Sequence, residues 1–526
     1  NSMNHFKRLS NLKNRGNWEE RWQRIADYIL PRKSEVTTKR AKGESRVVKL
    51  FDSTAIHANE LLGASLQGTL TPSSALWFGL QVEDPELREN QEVKEWSGMV
   101  AEKMFAAINN SNFRSESHEN YLDMGSVGIA TLLCEESSGS QDQFNGLMFK
   151  AYFISNIYPA ENQDGMVDTV FRTFEWTARQ AELKFGRDKL SEKLRDKIKD
   201  KPDEMHEFLH VVEPREKKGK AKKNMPFASY YYEVETKHLL EEGGYQEFPY
   251  AVPRWSKASG EKYARSPGFT AIPDIRTLNR AIELELKAWA KDIDPPLGVP
   301  DEGVGGKLKL TPAAQNYIRA DLIDKIRPLL SNSRYDVTQL KVQDLRTSVR
   351  QIFMSDQLQM QQGPQMTATE VQVRFELMQR LIGPTLGRME MEYLKPILNR
   401  VFNIMLRKKA LGEIPEILQG NEVNVKFVGP VARAQRLNEI AAIERWIGSL
   451  IPVSQVNPDI LDCVDFDMVA DETATLYGVP DRLRRSPEEK DAIRQQRAEQ
   501  MAQQQALQTA MEGTKAIKNI ADAERE

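Results

Sequence analysis

One stretch constrains the chain more than any other. Between Pro273 and Asp294-Pro295-Pro296, the residues Ile275, Leu278, Ile282, Leu286, Trp289 and Ile293 recur at intervals of 3, 4, 4, 3 and 4, the period of one helix face. Pro273 suits a helix start, because the missing amide would be unsatisfied there anyway, and the proline pair suits its end. About twenty residues at 1.5 Å each make a rod of roughly 30 Å. A second helix is expected over 337–355, after an insertion rich in Gly and Pro. Two rods separated by a compact insertion are expected to lie side by side.

The rest of the chain must supply what holds such rods. At 526 residues it is too long for one core, so several domains are expected. Hydrophobic residues make up 40% and charged residues 28%, enough apolar material for real cores. Lys plus Arg number 73 against 76 Asp plus Glu, a formal net charge of -3, which argues against a chain that grips nucleic acid over its whole surface. No stretch has the length of an apolar membrane span and no signal region follows Asn1-Ser2-Met3, so a soluble, intracellular chain is expected. Cys134 and Cys463 have no partner spacing and read as two buried thiols in a reducing compartment.

Residues 4–30 read as one amphipathic helix on Trp18, Trp22, Ile25, Ile29 and Leu30, stopped by Pro31. Asp52-Ser53 should cap a second helix with the stripe Ala55, Ala58, Leu61, Leu62, Leu66 and Leu70. Helices are expected near 92–111 and 114–126. Strands are expected at 129–133, 149–153, 167–174 and around 211–212 and 230–236, with a helix from Thr177 to Phe185 ended by Gly186. Arg215 to Lys223 reads as a solvated hairpin tip. After 337–355 comes a Gln- and Met-rich loop broken by Gly363-Pro364. Thr367-Ala368-Thr369-Glu370 is then a capping box that opens a long helical run, in which Pro384 and Pro396 must produce a kink or a division. A strand at 423–428, helices near 432–451 and 467–477, and a polar tail complete the pattern. The fold class expected is α+β, mainly helical.

Signals for chemistry are weak. His206-Glu207-Phe208-Leu209-His210 fits H-E-x-x-H by its letters, but its flanks resemble a helix end passing into a strand, which cannot present two histidines to one zinc ion. Gly303-Val304-Gly305-Gly306-Lys307-Leu308 lacks the first glycine and the final Ser or Thr of a phosphate loop. Asp465, Asp467, Asp471 and Glu472 lack calcium-loop spacing, and Asp471 reads as a helix cap. No nucleophile motif is present, so no active site, metal or cofactor is expected.

Four segments carry a resemblance. They are Asp52-Ser53-Thr54-Ala55 through Leu66 with Leu70-Thr71-Pro72-Ser73 and Trp77-Phe78; Phe248-Pro249-Tyr250, Pro253-Arg254-Trp255, Tyr263, Pro267 and Pro273-Asp274-Ile275-Arg276-Thr277-Leu278-Asn279; Asp294-Pro295-Pro296; and Pro364-Gln365-Met366-Thr367-Ala368-Thr369-Glu370-Val371 with Arg374, Leu381-Ile382-Gly383-Pro384 and Arg388. Over about residues 15–485 the chain resembles the portal, or head-to-tail connector, family of short-tailed bacteriophages. It departs at Tyr263-Ala264-Arg265-Ser266-Pro267, where the family pattern has glycine in place of Ala264 and Ser266.

The resemblance implies a portal architecture: a wing over 1–272, stem helix 1 over 273–294, a clip over 295–336, stem helix 2 over 337–355, a tunnel loop over 356–366, a long kinked wing helix over 367–411, a crown over 412–485, and a tail over 486–526 that is either a helical barrel or disordered. It implies a homo-oligomeric ring, a dodecamer in virions, at one capsid vertex. The ring would conduct double-stranded DNA without sequence specificity, and would contact the major capsid protein, terminase and a tail adaptor protein. It would be assembled in the host cytoplasm, with no membrane partner and no cofactor. Under this reading Lys287, Lys291, Arg346 and Arg350 are candidates to face DNA, or else salt-bridge residues near Glu283 and Glu285. Gln357, Gln359, Gln361 and Gln362 would be uncharged loop contacts, and Ile275, Leu278, Ile282, Leu286, Trp289 and Ile293 would pack the stem. A packaging ATPase or nuclease, or an internal scaffold protein, is the alternative; the first would need a Walker motif or a carboxylate metal cluster.

Overall fold

The computed structural model describes residues 2–38, 50–74, 76–82, 84, 87, 90–139, 143–216, 224–293, 297–298, 321, 327–328, 335–358, 382–418, 425–428, 430–477, 483, 485 and 489–506. It is a mixed helix and sheet structure in two compact units. Unit 1 holds Asn1–Trp77, Met104–Ala410 and Gly429–Val431; unit 2 holds Phe78–Lys103, Leu411–Val428 and Ala432–Glu526.

Unit 1 opens with α1 (Ser2–Lys13) and α2 (Trp18–Ile29). The expected single helix divides because Gly16 takes φ +56°, the left-handed region that ends a helix. The stripe of α2 is buried as expected, and Trp22 packs edge-on against Tyr263 at 4.9 Å. Helix α3 (Thr54–Leu70) buries Ala55, Ala58, Leu62, Leu66 and Leu70. Asp52 rather than Ser53 supplies its cap bond, since Thr54 N–H donates to Asp52 Oδ1 at 2.9 Å and Ser53 makes no such bond. Helix α5 (Phe113–Ser126) follows near its expected bounds, as does α4 (Gln91–Asn109), whose residues up to Lys103 belong to unit 2.

Most of the described strands of unit 1 form two antiparallel sheets. The smaller has the order β3 (Leu147–Tyr152), β2 (Thr131–Glu136), β9 (Tyr250–Ala251). The larger runs β4 (Ile157–Glu161), β5 (Val167–Thr177), β6 (Met205–Pro214), β7 (Phe227–Glu233), β8 (Leu239–Tyr245). Alternation along β6 sends Phe208 to one face and Leu209 to the other. On the first face α6 (Ala178–Phe185) and α7 (Glu192–Asp200) lay Ala178, Ala181, Phe185 and Leu194 over Phe208. On the second, α1 lays Leu9 over Tyr158, Phe171, Leu209 and Val211. Helix α6 begins as the sequence predicts: Thr177 Oγ1 accepts from Gln180 N–H at 3.2 Å and Gln180 returns the bond, while Gly186 ends it at φ +83°.

Helix α8 spans Pro267–Ile293, so it starts two turns earlier than expected and Pro273 lies inside it. Pro267 is the N-terminal proline of this helix. Pro273 sits at its seventh position, where it has no amide to donate to Phe269 O and its ring crowds that carbonyl, yet the helix continues through it. Between α8 and α9 (Tyr335–Ile352) the described residues include one short pairing, β10 (Leu297–Gly298) with β11 (Arg327–Pro328). After α9 a four-residue helix, α10 (Ser355–Leu358), packs against α3. The capping box at Thr367–Glu370 and the string Gly303–Leu308 lie outside the described residues. From Ile382 the helical run continues to Arg407, as 382–389, a π turn over Glu390–Leu394, and α11 (Lys395–Arg407). The division expected at Pro396 is this π turn: Lys395 N–H reaches back five residues to Glu390 O, and the widened turn accommodates the ring that follows.

In unit 2, β1 (Gly79–Val82) pairs with β12 (Val425–Val428). Helices α12 (Pro430–Ser454), α13 (Phe466–Tyr477) and α14 (489–506) complete it. Asp465, not Asp471, caps α13, accepting from Met468 N–H at 3.0 Å; Asp471 lies mid-helix and pairs with Lys490. Cys463 is exposed, correcting the expectation of two buried thiols, whereas Cys134 is buried.

Candidate functional site

Helices α8 and α9 pack directly against each other, which is the arrangement the two sequence stripes require. They are clamped at one end. Arg346 of α9 meets the Asp52 carboxylate at 2.9 Å, Ser348 Oγ donates to Asp274 Oδ2 at 2.6 Å, and Phe51 N–H donates to Asn279 Oδ1 at 2.7 Å. Ile275 and Leu278 are buried at this end, with Val342 and Val349 of α9. Toward the far end of α8 the stripe emerges: Ile282 is half-buried, Leu286 is 44% exposed, Trp289 43% and Ile293 84%. Leu340 of α9 is 68% exposed. The same apolar stripe therefore serves the interior of unit 1 over its first half and faces outward over its second.

The basic candidates divide likewise. Lys287 is exposed and bonded to Glu283 at 2.6 Å, a carboxylate it shares with Arg280 at 2.7 Å. Exposed pairs of this kind contribute little to stability and leave the surface near neutral. Lys291 and Arg350 are exposed, and no ion pair joins them among the described residues. Arg346 is spent on Asp52. Gln357 is exposed on α10; Gln359, Gln361 and Gln362 lie outside the described residues.

Two buried ionic clusters brace unit 1, and the sequence reading assigned neither. Arg254 is fully buried and satisfies all five guanidinium N–H groups. Nε and Nη2 donate to the Glu392 carboxylate at 3.2 and 2.7 Å, Nη2 to Gly165 O at 2.9 Å, and Nη1 to Lys262 O at 3.2 Å and to Glu161. Its backbone N–H also donates to Glu392 at 3.0 Å, and Arg388 bonds the same carboxylate at 3.1 Å. Glu392 sits in the π turn. The signal in the sequence was Arg254 and Arg388 themselves, quoted in two separate segments above; their common partner was hidden.

The second cluster is Asp123 with Lys33 at 2.6 Å, and Glu119 with Lys33 at 2.9 Å. Burial pushes the Asp123 carboxyl up to about 6, against the pull of Lys33, because Oδ2 has no partner. Its contribution to stability is therefore full below the ordinary 3.8 and is lost as pH rises through about 6. On acidification from pH 7.5 to 5, wild type should gain about 1.4 kcal/mol relative to Asp123→Asn, because the carboxyl regains its proton in the folded state near 6 while the unfolded chain stays ionised down to 3.8. Melting of both proteins across that range checks it; a pH-independent difference would count against the burial of the charge.

The H-E-x-x-H string lies entirely in β6. Its histidines are thereby about 13 Å apart along the strand, too far to share an ion. His210 is buried, stacked on Tyr231 at 4.1 Å and bonded to Tyr250 Oη at 3.0 Å and Ser229 Oγ at 2.9 Å. Burial holds it well below its ordinary range, so it is a neutral core residue. Among the described residues no group of three or more His, Cys, Asp or Glu could hold a metal ion, and no helix is long and apolar enough to cross a membrane.

Comparison with known proteins bears on what such an arrangement serves. The family model described as bacteriophage head to tail connecting protein matches residues 4–484. The "Probable portal protein" of Bordetella phage BPP-1 is 30% identical over 94% of this chain and 90% of its own length. The "Portal protein" of Salmonella phage epsilon15 is 29% identical over 97% of this chain and 94% of its own length. A chain from the virion of a native gene transfer agent particle aligns over 81% of this chain and 94% of that one, at 11% identity and a TM-score of 0.33, too low to carry an argument.

Proposed function

Because the chain belongs to the bacteriophage head-to-tail connecting protein family, we propose that it is the portal subunit: copies form a ring, a dodecamer in the virion, at one capsid vertex, through which double-stranded DNA is packaged and ejected. In this reading α8 and α9 are the stem, 295–336 the clip that docks terminase and then a tail adaptor, 356–366 the tunnel loop, and 412–485 the crown. Residues 1–272 and the kinked helix 367–411 are the wing, which meets the major capsid protein.

The observation that carries this reading is the split burial of the α8 stripe. A lone protein has no reason to expose Leu286 and Ile293 on a rod that is already clamped at its base, whereas a ring buries them against the next copy. The surface charge fits a conduit. Each neutralised phosphate adds a counterion-release contribution, and several together would hold DNA in place. A rod face bearing Lys287 already paired with Glu283, plus Lys291 and Arg350, gives sparse charge that guides DNA without gripping it.

Leu286→Asp with Ile293→Asp should abolish rings, since each apolar side chain buried at an interface is worth about 1.5–3 kcal/mol and the loss repeats at every interface. The subunit's melting temperature should stay within about 2 °C of wild type, because both positions are exposed within one copy. Negative-stain microscopy and mass measurement of the particle check this. Rings with a central hole from the double variant, or rods or monomers from wild type, would overturn the proposal.

A further inference from the structure

The junction between α9 and α10 holds a strained residue with no local cause. Among the described residues, three non-glycine positions take positive φ: Lys237, Met354 and Lys409. Lys237 sits in the turn between β7 and β8, and Lys409 follows the end of α11, both places where a left-handed residue closes a turn. Met354, at φ +57°, is different, because a helix resumes at the next residue. Nothing in Arg350-Gln351-Ile352-Phe353-Met354-Ser355-Asp356-Gln357-Leu358 breaks a helix: there is no Gly or Pro, and the residues favour helix on balance. Taken alone, this stretch should continue α9 without interruption to Leu358.

Tertiary packing imposes the break. Phe353 is fully buried and Ser355 nearly so. The freed groups find substitutes at the bend: Ser355 Oγ donates to Arg350 O at 3.0 Å, Met354 N–H to Gln351 O at 3.0 Å, and Gln357 N–H to Met354 O at 3.2 Å. Helix α10 then rests on α3. Upstream, Arg346–Asp52 and Ser348–Asp274 pin α9 to the start of α3 and to α8. Motion is thus denied to α9 up to residue 348 and is concentrated in the one residue whose backbone is held away from its preferred conformation.

We propose that Met354 is a conformational hinge with two states. In the first, seen here, the left-handed residue breaks the helix and α10 docks on α3. In the second, Met354 returns to the right-handed region and α9 and α10 merge into one helix over Tyr335–Leu358. Docking of Phe353 and of α10 favours the first; local helix preference and relief of the left-handed residue favour the second. Such a balance is what a switch element requires. The hinge itself does not depend on the portal reading; its use does, because under that reading it sets the direction in which the segment after Leu358 leaves the stem.

Spin labels at Glu60→Cys on α3 and Gln357→Cys on α10, both exposed positions, read the two states as two distances. The exposed Cys463 is replaced by serine, and labelled subunits are diluted with unlabelled ones in the intact assembly. Met354→Gly removes the left-handed penalty and should shift the ratio toward the docked distance roughly 5- to 30-fold. Met354→Ile, whose branched side chain tolerates positive φ least, should shift it the other way. If the isoleucine variant does not assemble, Met354→Ala, a better helix former than methionine, is measured in its place. One unchanged distance in wild type and both variants overturns the hinge. Upstream labels on α9 and α8 should not respond; a response there would mean general loosening and would also overturn it.

Discussion

Replacing Arg254 by methionine should destabilise unit 1 by about 3–5 kcal/mol and lower its melting temperature by roughly 5 °C. The reason is the state it leaves behind. Glu392 is almost wholly buried and receives three bonds from Arg254, two from the guanidinium and one from the backbone. Without the cation the carboxylate keeps only Arg388 and the amide, in surroundings that solvate charge poorly. Gly165 O and Lys262 O lose their donors as well. A lysine at 254 should recover only part of the loss, since one ammonium cannot reproduce a planar fork with five donors. The double variant Arg254→Met, Glu392→Met removes both charges together and should recover more than half of the single variant's deficit. Calorimetry of the single and double variants checks this. A single variant within about 1 kcal/mol of wild type would mean that the cluster is not what joins the π turn to the loops around Glu161 and Lys262.

Gly268→Ala is the second large effect. A Cβ at Gly268 would stand 2.3 Å from Ser126 O and 3.0 Å from Ser126 C. Both are backbone atoms of the last turn of α5, so no side chain can swing aside. The first turn of α8 approaches that closely because Ser266 Oγ donates to the same carbonyl. The alanine variant must push the two helix ends apart, with an expected loss of about 3 kcal/mol or more. Gly383→Ala and Gly387→Ala are the controls. Both lie in the helical run 382–389 with nothing within 4 Å of the added carbon, and each should be neutral or gain up to about 1 kcal/mol. Equal melting temperatures for all three variants would remove the close approach as the cause. Because Gly268 begins the helix that becomes the rod, its loss should also lower ring yield.

How much of this could be read in the letters depends on distance along the chain. The α8 stripe, the helix start at Thr177, the Gly186 stop and the β6–β7 pairing are local or periodic, and each appears where the sequence put it. The family was legible for a related reason, since its segments are short and contiguous. Boundaries failed where tertiary packing or a conformational exception overruled local preference. Gly16 divides the first helix, Pro273 is tolerated within α8, and Met354 breaks α9 where the residues favour continuation. The H-E-x-x-H letters were ambiguous until the strand around them was known. Arg254 and Glu392 are 138 positions apart, and no local pattern predicts such a pair. Of the candidate site, the rods and their stripe were legible. The change from buried to exposed at Ile282 was not, because the interval of apolar residues is the same on both sides of it.

The π turn at Glu390–Leu394 has a consequence for how this chain can change in length. The turn at 234–238 falls between the paired strands β7 and β8 and can absorb added or missing residues with modest cost. The helix through 382–407 cannot. A π turn is an α-helix carrying one surplus residue, and removing one, such as the exposed Met391, would restore regular winding at that point. The segments on either side would keep their angular phase, because the widened turn is what absorbs the surplus residue. The residues within the turn would be redistributed, however, and Glu392 is one of them. It could then no longer meet Arg254 from its present place, while Ile397 and Val401 kept theirs in the core. The surplus residue is therefore silent for the helix as a whole and decisive for the one carboxylate that the ion cluster needs.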